Sequence, residues 1–297
     1  MSQSVAIVGG THGNEFSGLT LIREWEKRPE TLARPGLAVR TLWANPQAHQ
    51  ANKRYLDADL NRQFEPALLA DPELTNYEQS RAKVINAQLG PKGQSQTDLV
   101  IDLHNTTSNM GPTLILIDNG LWERQLAAFV KARMPEAVIL LEDAKSPAEW
   151  GYLCSVGKRG VMVEVGPQSQ SVLRDDVLEQ MATLTQLILD FASLAATEQL
   201  PALAQSVEAF RYLETLYLPV DEAGERTAVV HRQLEQNDFA PLKPGDPIFR
   251  HFDGTLVHYQ GEEVVYPHFI NEAAYYDSNA AFSLAQKIQL SVADGGY

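Results

Sequence analysis

Two histidines and a glutamate stand where apolar runs give way to turns. His12 and Glu15 form His-x-x-Glu within Gly9-Gly10-Thr11-His12-Gly13-Asn14-Glu15, directly after the run Val5–Gly10 has begun as VAIV. With seven histidines and 38 acidic residues, about one such pair arises by chance, so the spacing alone says little. The placement says more. In open α/β sheets ligands bind beyond the carboxyl ends of strands, and His104 ends a second run of the same kind, Asp98-Leu99-Val100-Ile101-Asp102-Leu103. Two imidazoles and one carboxylate make a catalytic zinc sphere that leaves a fourth position for water, whereas structural zinc sites favour cysteine. Read as a pair only, His12 and Glu15 fit equally a loop histidine and an acid placed near a helix N-terminus.

Further residues fit around that set. Asp102 lies two positions before His104, on the same strand face. It is either an ordinary buried acid or the acceptor that fixes the tautomer of a ligand histidine. Glu164 interrupts Val161-Met162-Val163 and Val165 inside an apolar strand. A carboxylate there is costly unless paired or functional, which makes it a candidate general base, with a buried salt bridge as the alternative. The polar stretch Arg54-Tyr55-Leu56-Asp57-Ala58-Asp59-Leu60-Asn61-Arg62 holds two arginines among acids. By itself it reads as a solvated ion-pair network rather than an anion pocket. Asn271-Glu272-Ala273-Ala274-Tyr275-Tyr276 reads by itself as core packing more than as a site. His49, His231, His251, His258 and His268 lack ligand spacing and are expected to be structural or exposed.

The elements that must position these groups alternate. Strands are expected at Val5–Gly10, Leu37–Asn45, Asp98–Asn105, Thr113–Asp118, Ala137–Asp143 and Val161–Pro167. Helices are expected at Phe16–Lys27, Tyr77–Leu89, Leu121–Arg133 and Asp176–Ala195. That order predicts an α/β sandwich with a largely parallel or mixed sheet. After Thr197 the pattern changes to β-branched and aromatic runs separated by turns such as Lys243-Pro244-Gly245-Asp246, with no long helix. The expected organisation is an α/β domain carrying the candidate site over 1–200 and a smaller β-rich domain over 201–297, linked near Ala195–Pro201.

Composition removes several functions. A net charge of −14 repels phosphate backbones, so general nucleic-acid binding is not expected. The single cysteine, Cys154, permits neither an internal disulfide nor a Cys-x-x-Cys site and fits a reducing compartment. No run reaches membrane-spanning length and the opening residues lack a signal-peptide pattern, so a cytoplasmic protein is expected. No Gly-x-Ser-x-Gly occurs, which disfavours a serine hydrolase.

Taken together, GGTHGNE, RYLDADLNR, DLHNTTSNMG, EVGPQ, PGDP and NEAAYY resemble the aspartoacylase/aminoacylase-3 family, a branch of the zinc-carboxypeptidase-like amidohydrolases, over nearly the whole chain. The resemblance implies a zinc-carboxypeptidase-like mixed sheet flanked by helices. It also implies one zinc per chain on His12, Glu15 and His104, and Glu164 as the group that activates water and protonates the leaving amine. Arg54 matches the arginine that stabilises the oxyanion, Asn61 and Arg62 the pair that grips a substrate carboxylate, and Tyr275 a substrate-binding tyrosine. The implied substrate is a small N-acyl amino acid, N-acetyl-aspartate above all, with a broader aminoacylase-3 range as the alternative; the implied assembly is a homo-oligomer. A non-enzymatic metal-binding scaffold would need a damaged catalytic set, yet every residue of the set is present. Two positions depart from the aspartate-selective pattern: Cys154 and Asn279 stand where arginine and lysine are expected. Lys158 and Arg159 are the cations close enough in sequence to replace the missing charge.

Overall fold

The computed structural model describes residues 2–275 and 277–292. Tyr276, named above in NEAAYY, lies outside the described residues. The first half runs β1 (Gln3–Gly9), α1 (Phe16–Lys27), β2 (Leu37–Trp43), α2 (Pro46–Gln50), α3 (Pro66–Ala70), α4 (Tyr77–Leu89), β3 (Leu99–Asn105), β4 (Gly111–Leu116) and α5 (Leu121–Arg133). It continues through β5 (Val138–Leu141), β6 (Arg159–Gly166), α6 (Asp175–Ala196), β7 (Ser206–Tyr217), β8 (Ala228–Val230), β9 (Pro247–His251), β10 (Leu256–His258), β11 (Tyr266–His268) and β12 (Ala280–Ser291). The four expected helices and six expected strands all form, with ends shifted by a few residues at most. The short helices α2 and α3 carry too little periodicity to be read in advance; each begins at a proline.

Nine strands form one mixed sheet in the order β11-β12-β7-β5-β4-β6-β3-β1-β2. β2, β1, β3 and β6 run parallel, and β4 pairs antiparallel with β6. The β-rich C-terminal part is not a detached body. Its long strand β7 pairs parallel with β5, through Leu140 opposite Phe210 and Leu141 opposite Arg211, so the central sheet continues into it. β8, β9 and β10 form a separate three-stranded antiparallel sheet. Its apolar residues pack on β12 through Phe249 and Phe282.

Alternation along the strands sorts side chains between two faces. Val5, Ile7, Leu99, Ile101, Leu103, Val161, Val163 and Val165 point to the face covered by α1, α5 and α6. Ala6, Val8, Val100 and Met162 point to the other face, toward α4. The same period puts Asp102 and His104 on that second face, together with Glu164. The polar positions that looked anomalous in apolar strands therefore share one face near the carboxyl ends of β1, β3 and β6.

Candidate metal centre

His12 follows β1 in a tight turn. Gly13 is required there, because a Cβ would lie 2.3 Å from the backbone of Ala48 and His49. The Nδ1 of His49 bonds the carbonyl of Gly13 at 2.9 Å, so His49 supports the turn as a structural residue. Glu15 is the residue immediately before α1, and His104 is the penultimate residue of β3. The three converge: His12 Nδ1 is 2.7 Å from Glu15 Oε1, and His104 Nδ1 is 3.1 Å from Glu15 Oε2 and 3.2 Å from His12 Nδ1. All three are buried, and their ligand atoms lie within 4.8 Å of one another. Two imidazole nitrogens facing each other beside a carboxylate is the geometry of a site that takes a cation.

The outward ring nitrogens are also held. His12 Nε2 meets Asp59 Oδ1 at 3.0 Å, and His104 Nε2 lies 2.9 Å from Asp102 Oδ2. The His104–Asp102 contact is at ion-pair distance but not in hydrogen-bond geometry: among the described residues Oδ2 has no hydrogen-bond partner, while Oδ1 accepts from Thr11 Oγ1 at 2.7 Å. Either way each ring presents Nδ1 to the shared point and Nε2 to an acid, which fixes its orientation. Burial pushes the Glu15 carboxyl up, but the charge and hydrogen bonds of His12 and His104 outweigh it and hold it below the ordinary range. For His104 burial works downward, and the charge and contacts of Asp102 and Glu15 raise it well above an ordinary histidine. The acids around the rings thus favour positive charge at this point, as a metal site requires.

Glu164 sits on β6 directly opposite His104 on β3, and opposite Thr113 on β4. Adjacent strands therefore set the carboxylate beside the metal donor. It is 9% exposed and lines the cavity. Burial raises its pKa well above the usual carboxylate value; His104 opposes this, and Glu15 and Glu272 add to it. A raised carboxyl pKa suits a group that must take up a proton in the reaction. The glycine after the strand, Gly166, packs against the chain: a Cβ would lie 2.4 Å from the carbonyl of Thr106.

The Arg54–Arg62 segment lines the cavity and is not the solvated surface network its composition suggested. Buried Glu78 of α4 organises the segment's first half, accepting from the backbone N–H of Leu56 at 2.8 Å and Asp57 at 3.0 Å. An acid in a first helical turn gave no sequence signal of that task. Arg54 donates from Nη1 to Glu15 Oε1 at 3.0 Å and from Nη2 to Asp59 Oδ2 at 3.3 Å. Asn61 is buried, with Oδ1 accepting from the N–H of Leu153 at 2.8 Å. Its Nδ2 has only long contacts, 3.5 Å to His104 Nε2 and 3.8 Å to Met162 Sδ. The Arg62 guanidinium lies 5.0 Å from the centre of the Tyr152 ring.

The C-terminal part closes the cavity. Tyr275 lines it and packs its ring on Phe269, with centroids 5.8 Å apart, so it serves packing and site at once. Glu272, missed from the sequence, ties this segment to the turn after β3: its Oε2 accepts from Thr106 Oγ1, from Thr107 N at 2.7 Å and from Thr107 Oγ1 at 3.1 Å. Glu142 was also missed. It follows β5 and accepts from the Tyr152 hydroxyl at 2.7 Å. The inner cavity adjoins a wider outer one, sharing Arg54, Arg62, Glu142, Tyr152 and Tyr275 with it, and the outer one is walled further by Trp150, Tyr212 and Tyr217.

The two departing positions do not face the substrate space. Cys154 is fully buried in the apolar cluster with Leu153, Val156 and Met162. Asn279 accepts through Oδ1 from Arg226 Nε at 2.8 Å. Lys158 and Arg159 do not compensate. Both lie at the far end of β6, Lys158 paired with Asp98 at 2.7 Å and Arg159 near Glu123 at 3.8 Å.

Residues 1–192 match the model of the succinylglutamate desuccinylase/aspartoacylase catalytic domain, and residues 205–287 that of the AstE/AspA barrel-sandwich hybrid domain. An aspartoacylase of Xenopus tropicalis is 43% identical, with 97% of this chain and 93% of the relative covered. An N-acyl-aromatic-L-amino acid amidohydrolase (carboxylate-forming) of Rattus norvegicus is 40% identical, covering 97% and 92%. The crystal structure of murine aminoacylase 3 superposes with a TM-score of 0.91 at 41% identity, covering 98% of this chain and 97% of that one.

Proposed function

The chain belongs to the succinylglutamate desuccinylase/aspartoacylase family, as an amidohydrolase of the aspartoacylase/aminoacylase-3 branch with a His-Glu-His metal site, and from that premise we propose that it hydrolyses N-acyl amino acids at a single zinc ion. The observation that carries the reading is the convergence of His12, Glu15 and His104 with Glu164 in register beside them. Zinc, when bound, polarises a carbonyl and lowers the pKa of water. The chain's own residues do the rest. Glu164 takes the proton of the attacking water as the C–O bond forms, then gives it to the amine as the C–N bond breaks, leaving a carboxylate and a free amino acid. Arg54, already 3.0 Å from Glu15, directs positive charge at the oxygen that becomes anionic. Arg62, with the under-used amide of Asn61, holds the α-carboxylate, and Tyr275 closes over the bound molecule. In this reading residues 1–200 supply the hydrolytic machinery and 201–297 complete the substrate pocket.

N-acetyl-aspartate belongs to this substrate class. The outer cavity favours a second reading of the side chain: its aromatic walls, and the absence of a facing cation at Cys154 or Asn279, suit neutral and aromatic N-acyl amino acids. We place the enzyme in the cytoplasm as a homo-oligomer. No helix of the described residues is long and apolar enough to cross a membrane. A panel of N-acetyl amino acids assayed with zinc-loaded protein, beside light scattering for the assembly, tests the reading. Turnover of several members is expected, and no turnover of any member would refute it.

A further inference from the structure

We propose that Glu142 is a specificity-determining residue that turns the site away from N-acyl amino acids with an acidic side chain. The inference rests on the reading of Arg62 and Asn61 as the α-carboxylate anchor and adds what lies beside that anchor.

Glu142 is fixed by the sheet: its backbone N–H donates to Leu116 O at 2.8 Å, continuing the pairing of β5 with β4. Its side chain is 9% exposed and lines both the inner and the outer cavity, at the passage between them. Tyr152 links it to the anchor. The Tyr152 hydroxyl donates to Glu142 at 2.7 Å, and the same ring carries the Arg62 guanidinium at 5.0 Å. A substrate held at Arg62 sends its side chain past Glu142 on the way out.

The positive charge there is already committed. Arg54 and Arg62 are the only lysine or arginine side chains among the described residues lining either cavity, the histidines there being the metal donors. Arg54 is bound to Glu15 and Asp59, and Arg62 faces the α-carboxylate. Lys92 donates to the carbonyls of Phe64 and Trp150 and to Ser155, and Lys145 lies against the Trp150 ring. A second substrate carboxylate therefore meets a buried acid with no cation to offset it. Burial pushes the Glu142 carboxyl up, while Tyr152 and Arg62 pull it down. Like charges brought together in such a place are strongly disfavoured. A neutral side chain loses nothing there and gains the aromatic walls.

The test is Glu142→Gln in the full, zinc-loaded chain, which keeps the shape and an acceptor for Tyr152. The readout is the ratio of kcat/KM for N-acetyl-L-aspartate to that for N-acetyl-L-methionine. The ratio is expected to rise by about tenfold, and a rise of less than about fivefold overturns the proposal. Glu142→Asn serves if the glutamine variant does not fold. Calorimetric binding of L-aspartate and L-methionine, in wild type and variant, reads the same preference without turnover. An aspartate-to-methionine affinity ratio unchanged by the substitution also overturns it. A wild type that turns over neither substrate contradicts the deacylase reading, and the calorimetric ratio then decides this one.

Discussion

His104 and Glu164 reach the cavity from paired positions on two adjacent buried strands, whereas Tyr152 reaches it from the β5–β6 connection and Phe269 and Tyr275 from the β11–β12 connection. On the first wall the strand period fixes His104 and Glu164, His12 and Glu15 follow in the turn after β1, and the donors are braced by Asp59, Asp102 and Arg54. On the second wall the rings are placed by local turns and by side-chain ties such as Glu272 to Thr107 and Tyr152 to Glu142. The difference separates two tasks. His104 and the base Glu164 stand on the sheet, where strand pairing holds their position, and groups that choose the substrate stand on loops that can vary without disturbing it.

The largest effect is expected on the sheet wall. Glu164→Gln is near-isosteric and cannot accept a proton, so kcat falls by about 10²–10⁴-fold while metal content and unfolding midpoint stay at wild-type values. Steady-state kinetics beside elemental analysis checks both halves. A loss of metal with the loss of rate would mean that Glu164 supports the metal site rather than acting as the base.

His268 sharpens the comparison from the C-terminal side. It is fully buried, stacked on Phe239 at 5.5 Å, with neither ring nitrogen hydrogen-bonded among the described residues. Burial lowers its pKa from 6.5 to about 4. The unfolded chain then binds the proton more tightly than the folded one. The stability it contributes is complete above about pH 6.5 and is lost as pH falls toward 4, by roughly 3 kcal/mol at most. His268→Phe keeps the stacked ring and should flatten that part of the pH–stability curve, read as urea midpoints between pH 4 and 7. A slope unchanged by the substitution would assign the acid sensitivity elsewhere.

Glu272→Ala strips the acceptor from Thr107 N and the Thr106 hydroxyl. Leaving buried donors unpaired costs about 1–3 kcal/mol, and loosening the Tyr275 segment should raise KM more than it lowers kcat. Denaturant midpoints and the KM-to-kcat split measure the two consequences. The smallest effect belongs to Lys158→Ala. Its pair with Asp98 is largely exposed and lies at the far end of β6, so stability changes by about 0–1 kcal/mol and substrate preference not at all. A shift in the aspartate-to-methionine preference would show that this cation does reach the pocket.

How much of this the chain announces follows the same division. His104 and Glu164 stood out because polar residues in apolar strands break a simple period, and His12 and Glu15 because they follow directly on the end of such a strand. The strands and long helices were legible from the same period. The continuation of the sheet from β5 into β7 was not, because strand pairing across more than sixty residues leaves no local trace. Arg54 to Arg62 looked like a surface because its buried partner, Glu78, comes from a helix further on. Glu142 and Glu272 carried no signal: an acid after a strand and an acid before a tyrosine pair are ordinary, and only the fold brings them to the cavity. The positions of Cys154 and Asn279 show the reverse case, where family resemblance pointed to two places for a missing charge and neither side chain lines the pocket.

The central claim is that His12, Glu15 and His104 together hold one zinc ion on which hydrolysis of N-acyl amino acids depends. It is tested most directly by zinc titration of chelator-stripped protein, following bound metal and N-acetyl-amino-acid hydrolysis together, in wild type and His104→Ala. The account predicts that wild-type activity rises linearly and saturates at one zinc per chain, while His104→Ala binds zinc weakly and stays at background. Full activity in verified metal-free wild type, or a His104→Ala protein that binds and works like wild type, would contradict it.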